Sequence, residues 1–346
     1  MTPPGLLPSD EGNGPKAVVP SGVVADAVHL ACRAPSFHNS QPWRFVGEGA
    51  GVLHLFLDRD RLVETDSSGR QALISCGAVL DHLLVAMAAA GWSGNVDYYP
   101  DPDDGCHLAA VEFVPSPSVT DAQRRRADAI LARRTDRLPF AAPEPGHDVA
   151  SLSPRVVDQG LAHLDVLTGH MRGRLAEVSA LTEALRLYDS PYHAELAWWT
   201  GPFATHDGIP HSSLVSAAES DRVDVGRTFP VTHHGQRRAE VAEDHSQVLV
   251  VSAVGDGRRD ILACGEALSA TLLEATMAGL STCPLTHLTE VPATREMVGA
   301  LIGRSSPQVL IRVGVVPALD DVPPPTPRRP LTDVLSWQPS VSELTG

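Results

Sequence analysis

Two stretches of the chain share one sequence pattern, and this internal repeat limits what the protein can fold into. Residues 69–93 align without gaps on residues 257–281, and 9 of 25 positions are identical, where average composition would give roughly one or two. Each copy reads as a long apolar helix that follows a strand and ends at a glycine. We therefore expect two related halves, fused in one chain and packed about a pseudo-twofold axis through these helices. The identical pairs are Gly69/Gly257, Arg70/Arg258, Cys76/Cys264, Gly77/Gly265, Leu80/Leu268, Leu84/Leu272, Ala90/Ala278, Gly91/Gly279 and Ser93/Ser281.

The helix-like and strand-like segments along the chain predict an α+β protein with helices packed around mixed or antiparallel sheets. We expect a loose N-terminal tail (1–20), a first half (21–119), a second half (120–335) with an insert at about 188–245, and a C-terminal tail (336–346). A capping box at Thr120–Gln123 predicts the start of one helix. Other helices are predicted at 23–34, 70–90, 170–187, 260–278 and 293–301, and strands at 52–57, 95–99, 108–114, 247–253 and 308–315.

The composition and net charge limit the classes of molecule that the protein can be expected to bind. With 346 residues and 43% hydrophobic side chains, the chain can bury a large core. A formal net charge of -15 argues against nucleic acid and anionic membranes as partners, although a local arginine cluster could bind a small anion. No secretion signal and no uncharged apolar run near the ~20 residues of a membrane span is evident. We expect a cytoplasmic protein whose five scattered cysteines are buried thiols: Cys32, Cys76, Cys106, Cys264 and Cys283.

A turn rich in hydrogen-bonding groups follows the first helix. Pro35 cannot continue a helix interior, so the helix ends there. Two hydroxyls, an imidazole and two amides then occupy residues 36–41, and a strand-like segment begins at Trp43. Such a turn is typical either of an ordinary polar loop or of a site that holds a polar ring by its edge. The stretch is Ala34-Pro35-Ser36-Phe37-His38-Asn39-Ser40-Gln41-Pro42-Trp43-Arg44-Phe45.

Basic residues cluster at two further places. One cluster follows a helix, where guanidinium groups and a hydroxyl can hold a phosphate through charge-assisted hydrogen bonds. A solvated helix end, whose dipole favours cations, is an equally good explanation of that cluster. The second cluster lies between prolines near the C-terminus and by itself indicates only a surface feature. The clusters are Arg133, Arg134, Thr135 and Arg137, and Arg328 and Arg329.

Together these motifs resemble the signatures of the nitroreductase superfamily of FMN flavoproteins. The turn is similar to the family's Ala-Pro-Ser-x-x-Asn-x-Gln-Pro-Trp-x-Phe motif, and residues 133–140 are similar to its Arg-Arg-Ser-x-Arg-x-Phe phosphate and ribityl motif. The helix near 262–279 and the loop after it resemble the family's late helix and flavin-ring loop. The resemblance implies a nitroreductase-like fold and FMN. No metal is expected, because the cysteines and histidines show no metal-liganding pattern. The resemblance implies these cofactor-binding residues: Pro35, Ser36, His38, Asn39, Gln41, Pro42, Trp43, Arg44, Arg133, Arg134, Thr135, Arg137, Pro284, Leu285, Thr286, His287, Arg328 and Arg329.

The order of the motifs predicts a single cofactor site. An ordinary family member is a homodimer, and each flavin contacts the arginine motif of one subunit and the Pro-Ser turn of the other. Here the first half carries the turn and the second half carries the arginine motif, so the chain can assemble one complete site. This arrangement resembles the Acg branch of the superfamily, which is associated with low-oxygen dormancy. The resemblance implies a monomer that acts as a fused dimer, with an insert over the flavin. Trp198 and Trp199 are the lid candidates.

Two departures from the family pattern bear on the chemistry. The usual Pro-x-Glu-Gly over the flavin ring reads Pro284-Leu285-Thr286-His287, so its acidic residue is missing, although a backbone N–H could still reach flavin N5. The family's mid-domain asparagine contact has no evident counterpart.

Two functions are compatible with every motif. The first is an NAD(P)H-dependent nitroreductase, in which a small donor reduces FMN and a nitroaromatic or quinone then accepts the electrons in a ping-pong cycle. The second is a non-catalytic flavoprotein that stores or senses FMN under a closed lid. A flavin-free interaction protein would require three accidental motif matches and ranks last.

Overall fold

The structure is a computed structural model. It describes residues 17–48, 51–142, 149, 152, 160, 162–167, 169–201, 206–230, 232–233, 235–317, 319 and 323–338. Most of the predicted N-terminal tail and residues 339–346 of the predicted C-terminal tail lie outside the described residues.

The first half forms a five-stranded sheet. Its strands are β1 (Trp43–Glu48), β2 (Val52–Leu57), β3 (Trp92–Tyr98) and β4 (His107–Pro115), joined by β9 (Leu335–Trp337), in the order β3-β4-β2-β1-β9. Neighbouring strands are antiparallel except β9, which pairs parallel with β1. The boundaries expected from the sequence assign Leu335 to the second half and residues 336–337 to the C-terminal tail. Instead, this segment returns across the molecule and covers the edge strand of the first sheet.

The second half forms a four-stranded antiparallel sheet. Its order is β5-β6-β8-β7, and every residue of the central strand β8 is buried. Burial on both faces explains the apolar run Val309–Ile311, and the two long polar side chains of β8, Gln308 and Arg312, are buried as well. The strands are β5 (Ala162–Leu167), β6 (Gln247–Ala253), β7 (Ser281–Leu285) and β8 (Pro307–Gly314).

Helices fill the space between and around the sheets. The predicted helix over 23–34 begins at Ser21 and ends at Ala31. Arg33 and Ala34 follow it in a tighter turn with hydrogen bonds to residues three positions earlier, and Ala34, which precedes Pro35, is disfavoured in the helical region. The predicted Thr120–Gln123 capping box is confirmed. The helices are α1 (Ser21–Ala31), α2 (Arg70–Ala89), α3 (Asp121–Ala132), α4 (Gly169–Arg186), α5 (Ser190–Trp199), α6 (Ala217–Ser220), α7 (Arg258–Met277), α8 (His287–Glu290), α9 (Pro292–Ile302) and α10 (Leu331–Val334).

The repeated helices α2 and α7 cross at their shared glycines. A Cβ atom on Gly77 would lie 2.0 Å from the Leu262 carbonyl oxygen, and one on Gly265 would lie 2.1 Å from the Ile74 carbonyl oxygen. The repeat aligns these two glycines with each other and these two carbonyls with each other, so the contacts are reciprocal. Both helices are buried along most of their length. The crossing is therefore the centre of the core, and glycine is what lets the two backbones touch.

Helix α2 is long and apolar enough to cross a membrane by length and composition, although it contains Arg70 and Asp81 and is therefore not an uncharged run. Its residues are nevertheless mostly buried against α7, α1 and the first sheet, as expected for a core helix. Four of the five cysteines are buried, as the sequence predicted, and Cys106 is half-buried.

Candidate functional site

A cavity of about 760 Å³ lies where the two halves meet. Its volume falls in the range of sites that enclose a small molecule or cofactor, roughly 300–1,000 Å³. Its walls come from the turn after α1, the start of α2, residues 132–138 after α3, one face of α4, the insert, strand β7 and the C-terminal segment. The cavity therefore combines segments from both halves of the chain.

The turn after α1 reaches the cavity in a strained backbone conformation. Pro35, Ser36, His38 and Asn39 line the wall. The φ angles of His38, Asn39 and Gln41 are +51°, +59° and +53°, a left-handed region that side chains rarely adopt. Each such residue costs on the order of 1–3 kcal/mol, so the surrounding contacts must impose the conformation.

The two amides of the turn hold other parts of the chain in place. Asn39 Nδ2 donates to the Gly208 and Pro327 carbonyl oxygens at 3.0 and 3.2 Å. Gln41 Nε2 donates to the His206 carbonyl oxygen at 2.8 Å, and Gln41 Oε1 accepts from the Arg329 N–H at 2.9 Å. These bonds fasten the insert and the C-terminal segment to the turn, and they account for its unusual backbone.

Buried guanidinium groups converge beside the C-terminal end of α1. Arg133 Nη2 and Arg328 Nη2 both donate to the Arg33 carbonyl oxygen, each at 3.1 Å. The Arg33 side chain donates to the Thr326 carbonyl oxygen at 2.9 Å. All three side chains line the cavity, and none is ion-paired with a carboxylate in the described part of the chain. The cluster is thus a concentration of positive charge without a matching negative charge.

The energetic cost of this cluster indicates an anion as its ligand. Burial, followed by repulsion from Arg33, lowers the pKa of Arg133 to about 10 and that of Arg328 to about 9. Both groups therefore remain charged at neutral pH. Nε and Nη1 of Arg133 are buried without a hydrogen-bond partner among the described residues. Unpaired buried charge is unfavourable, and an anion with several oxygen atoms would satisfy it.

Gln71 presents a second set of unsatisfied groups to the cavity. It lies in the first turn of α2 with 2% of its surface exposed. Both its Nε2 and its Oε1 are buried and have no hydrogen-bond partner among the described residues. Buried polar side chains are normally paired. Gln71 therefore offers one donor and one acceptor to a polar ligand.

The strand end at Pro284–Thr286 forms another wall. Thr286 Oγ1 donates to Glu290 Oε1 at 2.7 Å, and Arg227 forms a buried ion pair with the same carboxylate. A carboxylate therefore lies close to this loop, although the motif position itself is a threonine. His287 does not line the cavity but hydrogen-bonds Ser179 Oγ, which does, at 3.0 Å. Burial and the charge of Arg227 lower the pKa of His287, which keeps it neutral.

Twelve of the eighteen residues predicted from the motifs line the cavity, and six do not. Trp43 is fully buried in the core, and exposed Arg44 packs its guanidinium on the Phe56 ring. The Arg329 guanidinium is turned toward Asp58, at 3.2 Å, and toward the backbone of the first half. Arg329 therefore contacts the turn, through Gln41, from outside the cavity wall. The six are Gln41, Pro42, Trp43, Arg44, His287 and Arg329.

The insert contributes to the cavity wall through its second part. Residues between Gly208 and Arg238 line the cavity, whereas neither lid candidate does. Trp198 is 77% exposed on α5, and Trp199 is buried with its ring near the Arg61 guanidinium. The two tryptophans therefore do not cover the cavity. Trp199 instead anchors α5 against the first half.

This difference in burial predicts that truncation of the two adjacent tryptophans affects stability to very different extents. Trp199→Ala should lower the free energy of unfolding by about 3–5 kcal/mol, as expected for truncation of a buried tryptophan. Trp198→Ala should change it by less than about 0.5 kcal/mol. Urea denaturation of the two variants checks both values, and equal losses would contradict the assigned orientations.

Several cavity residues carry no signal that a motif search could detect. Arg227 and Arg238 lie in the insert, and their importance depends on Glu290 and Asp136, far away in sequence. Arg33 directly precedes the turn motif and could have been added to the basic set. Gln71 could have been noticed as an amide on the apolar repeat helix.

Comparison with known proteins identifies the family. No family model matches the chain. The chain is 57% identical over 322 residues to a Mycobacterium tuberculosis (strain H37Rv) protein named "Putative NAD(P)H nitroreductase acg", covering 92% of this chain and 97% of the relative. It is 54% identical to "Uncharacterized protein Rv3127" of the same strain, covering 90% and 92%. A solved FMN-dependent nitroreductase, NfnB from Mycobacterium smegmatis in complex with NADPH, aligns with a TM-score of 0.38 at 16% identity, over 63% of this chain and 100% of that chain.

Identity of this extent, over nearly the full length of both chains, leaves one conclusion: the protein belongs to the nitroreductase family that includes Acg of Mycobacterium tuberculosis.

Proposed function

We propose that the protein binds one FMN in the cavity and works as an NAD(P)H-dependent oxidoreductase on a small acceptor, a quinone or a nitroaromatic compound. When bound, FMN would supply the hydride chemistry at N5, accepting a hydride from the donor and releasing it to the acceptor in a ping-pong cycle. The chain's own residues would bind and orient the cofactor and exclude water. The observation that carries the proposal is the unpaired arginine cluster in the same cavity as the Pro35–Asn39 turn.

The unsatisfied groups fit the chemistry of FMN. A phosphate would accept hydrogen bonds from Arg133 and Arg328 and would offset their repulsion. The amide of Gln71 could pair with a ribityl hydroxyl or with a polar edge of the ring. Phe37 and the turn would support the apolar part of the ring system.

The reciprocal glycine contacts support a fused dimer. Two halves related by an approximate twofold axis bring equivalent atoms together at that axis, as Gly77 and Gly265 are brought together here. We infer that the chain acts as a monomer in the cytoplasm with a small-molecule donor and acceptor, and that nucleic acid and membranes are not partners. The role in low-oxygen dormancy stays a prediction of the resemblance.

The residues that the internal repeat makes equivalent to the cavity wall support a single cofactor site. Arg259 occupies the position on α7 that Gln71 occupies on α2. Its guanidinium lies 3.5 Å from the Tyr98 ring centroid and donates to Glu266 at 3.1 Å, and the Tyr98 hydroxyl donates to the same carboxylate at 3.0 Å. We infer that these mutually bonded side chains occupy the place where a second ligand would lie.

We predict one FMN per chain from this asymmetry. Flavin released from the loaded protein by denaturation and quantified by absorbance should match the protein concentration one to one. A ratio of two would show that the second half-site also binds FMN and would refute the single-site argument.

A sealed flavoprotein is the second candidate function. Four contacts fasten the insert over the cavity side of the first half: Asn39 with Gly208, Gln41 with His206, Arg61 with Asp207, and Thr65 with Glu195. A lid held this firmly could retain FMN and keep nicotinamide from reaching it.

The visible spectrum of the FMN-loaded protein under anaerobic conditions separates the two functions. Prompt bleaching of the flavin band by NADPH or NADH supports the reductase. A band that persists with both donors and is lost with dithionite supports the sealed form. A protein that cannot be loaded with FMN overturns both.

A further inference from the structure

One carboxyl group in the cavity takes no part in the contacts described so far. Glu183 follows Ser179 by four residues on α4, so both side chains lie on one helix face, and both line the cavity. The backbone and hydroxyl of Thr228 hydrogen-bond the carboxyl group. Its Oε1 atom is buried and has no hydrogen-bond partner among the described residues. This geometry anchors the carboxyl group and leaves one oxygen atom available to a ligand.

The charges around Glu183 do not neutralise it. Arg227 is the neighbouring cation, but it is engaged with Glu290 and with the Tyr192 hydroxyl. Burial raises the pKa of the Glu183 carboxyl and the charge of Glu290 raises it further, against the lowering effect of the Thr228 hydrogen bonds and of Arg227. The acid form is therefore more populated here than in a solvent-exposed glutamate.

We propose that Glu183 is the acid that protonates the electron acceptor when this acceptor is a quinone. The inference rests on the proposed function, which supplies the hydride. Phe37 and Phe229 line the same cavity and provide apolar surfaces for an aromatic acceptor. A carboxylic acid anchored through one oxygen can donate from the other to a quinone carbonyl oxygen.

The proton balance defines the role of Glu183. A quinone becomes a hydroquinone by gaining one hydride, which carries two electrons, and one proton. The O–H bond of the Glu183 acid breaks, and a new O–H bond forms on the quinone oxygen. The resulting carboxylate recovers a proton from solvent before the next turnover.

The first test measures the carboxyl group without any turnover. Infrared difference spectra between wild-type apoprotein and Glu183→Gln should contain the C=O band of a protonated carboxyl group at a pH where exposed glutamates are ionised. Glu266, whose pKa is also raised, is present in both proteins and cancels in the difference. A difference spectrum with only a carboxylate band would overturn the inference.

The second test follows the acceptor step alone. Wild-type protein loaded with FMN is reduced with a stoichiometric amount of dithionite and mixed with para-benzoquinone, and reoxidation is followed by absorbance. General acid catalysis contributes typically 10²–10⁴-fold, so Glu183→Gln should reoxidise about 100-fold more slowly. The wild-type rate should fall as pH rises through the raised pKa of Glu183, because the acid form is consumed, and the variant should lack this fall.

A matched variant separates this role from a structural one. Glu177→Gln makes the same change at an exposed position of α4 and should leave the rate and its pH profile unaltered. If Glu183→Gln binds FMN normally and reoxidises at the wild-type rate, the acid assignment is wrong and the proposed function stands. If wild-type protein takes up no FMN, the proposed function itself fails.

Discussion

The double variant Arg133→Met with Arg328→Met is expected to lose tight FMN binding. Both guanidinium groups converge on the Arg33 carbonyl oxygen and are the charges best placed to hold the phosphate. Hydrogen bonds to a charged group are worth about 1.5–3 kcal/mol each. Affinity should therefore fall by about 3–6 kcal/mol, which corresponds to a loss of roughly 10²- to 10⁴-fold. Quenching of flavin fluorescence during titration of the apoprotein measures this directly.

The single variants should differ in the stability of the apoprotein. Arg133→Met removes a buried charge with two unpartnered nitrogen atoms, so the free energy of unfolding should rise. Arg328 donates to the carbonyl oxygens of Cys32, Arg33 and Ala34 at the end of α1. Its removal takes the donor from the Cys32 and Ala34 carbonyl oxygens, while Arg133 still donates to Arg33, and should lower the free energy of unfolding. If the cluster binds an anion, Arg133 should thus be the member that lowers apoprotein stability until the ligand binds.

Two other arginines serve as controls for the phosphate assignment. Arg44→Met changes an exposed side chain outside the cavity wall and should leave FMN affinity unchanged. Arg329→Met breaks the ion pair with Asp58 and should reduce stability more than affinity. Normal FMN affinity in the Arg133 and Arg328 double variant would refute the phosphate site.

Gly77→Ala is expected to destabilise the whole protein, because its added Cβ would meet the Leu262 carbonyl oxygen at 2.0 Å. Backbone atoms cannot move aside locally, so α2 and α7 would have to separate along their crossing. Overpacking of a core costs typically 1–3 kcal/mol, and we expect about 3 kcal/mol here. Gly265→Ala should cost a similar amount because its contact with Ile74 is the reciprocal one.

Gly173 provides the matched control for this prediction. It lies inside α4, and a Cβ there would meet nothing within 4 Å. Gly173→Ala should therefore stabilise the protein by about 0.5–1 kcal/mol through helix propensity. Denaturation in urea compares the three variants. A Gly77→Ala protein as stable as the Gly173→Ala protein would disprove the close crossing.

Local patterns were sufficient to predict most of the regular structure. Apolar periodicity located α2 and α7, and the Thr120–Gln123 box located the start of α3. These features depend on neighbours within a few residues, which a single sequence displays. The β9 strand could not be predicted in this way, because its three residues pair with β1 nearly 300 positions earlier.

The same distinction between local and long-range features applies to the candidate site. The motifs identified which segments meet at the cavity, since each carries a compact set of polar residues. Which side chain of a segment reaches the cavity depends on backbone direction and on distant partners. Arg328 and Arg329 are neighbours of identical chemistry, yet one lines the cavity and the other bonds Asp58.

The sequence by itself determined the main helices and the family resemblance, and it predicted two related halves and the segments that would form the site. The tertiary structure decided that Trp198 is exposed and Trp199 buried, that the Asn39 and Gln41 amides hold the insert, and that Gln71, Glu183 and Arg227 face one cavity. The physical reason is that burial and pairing are properties of groups brought together from distant parts of the chain, and no local pattern records them.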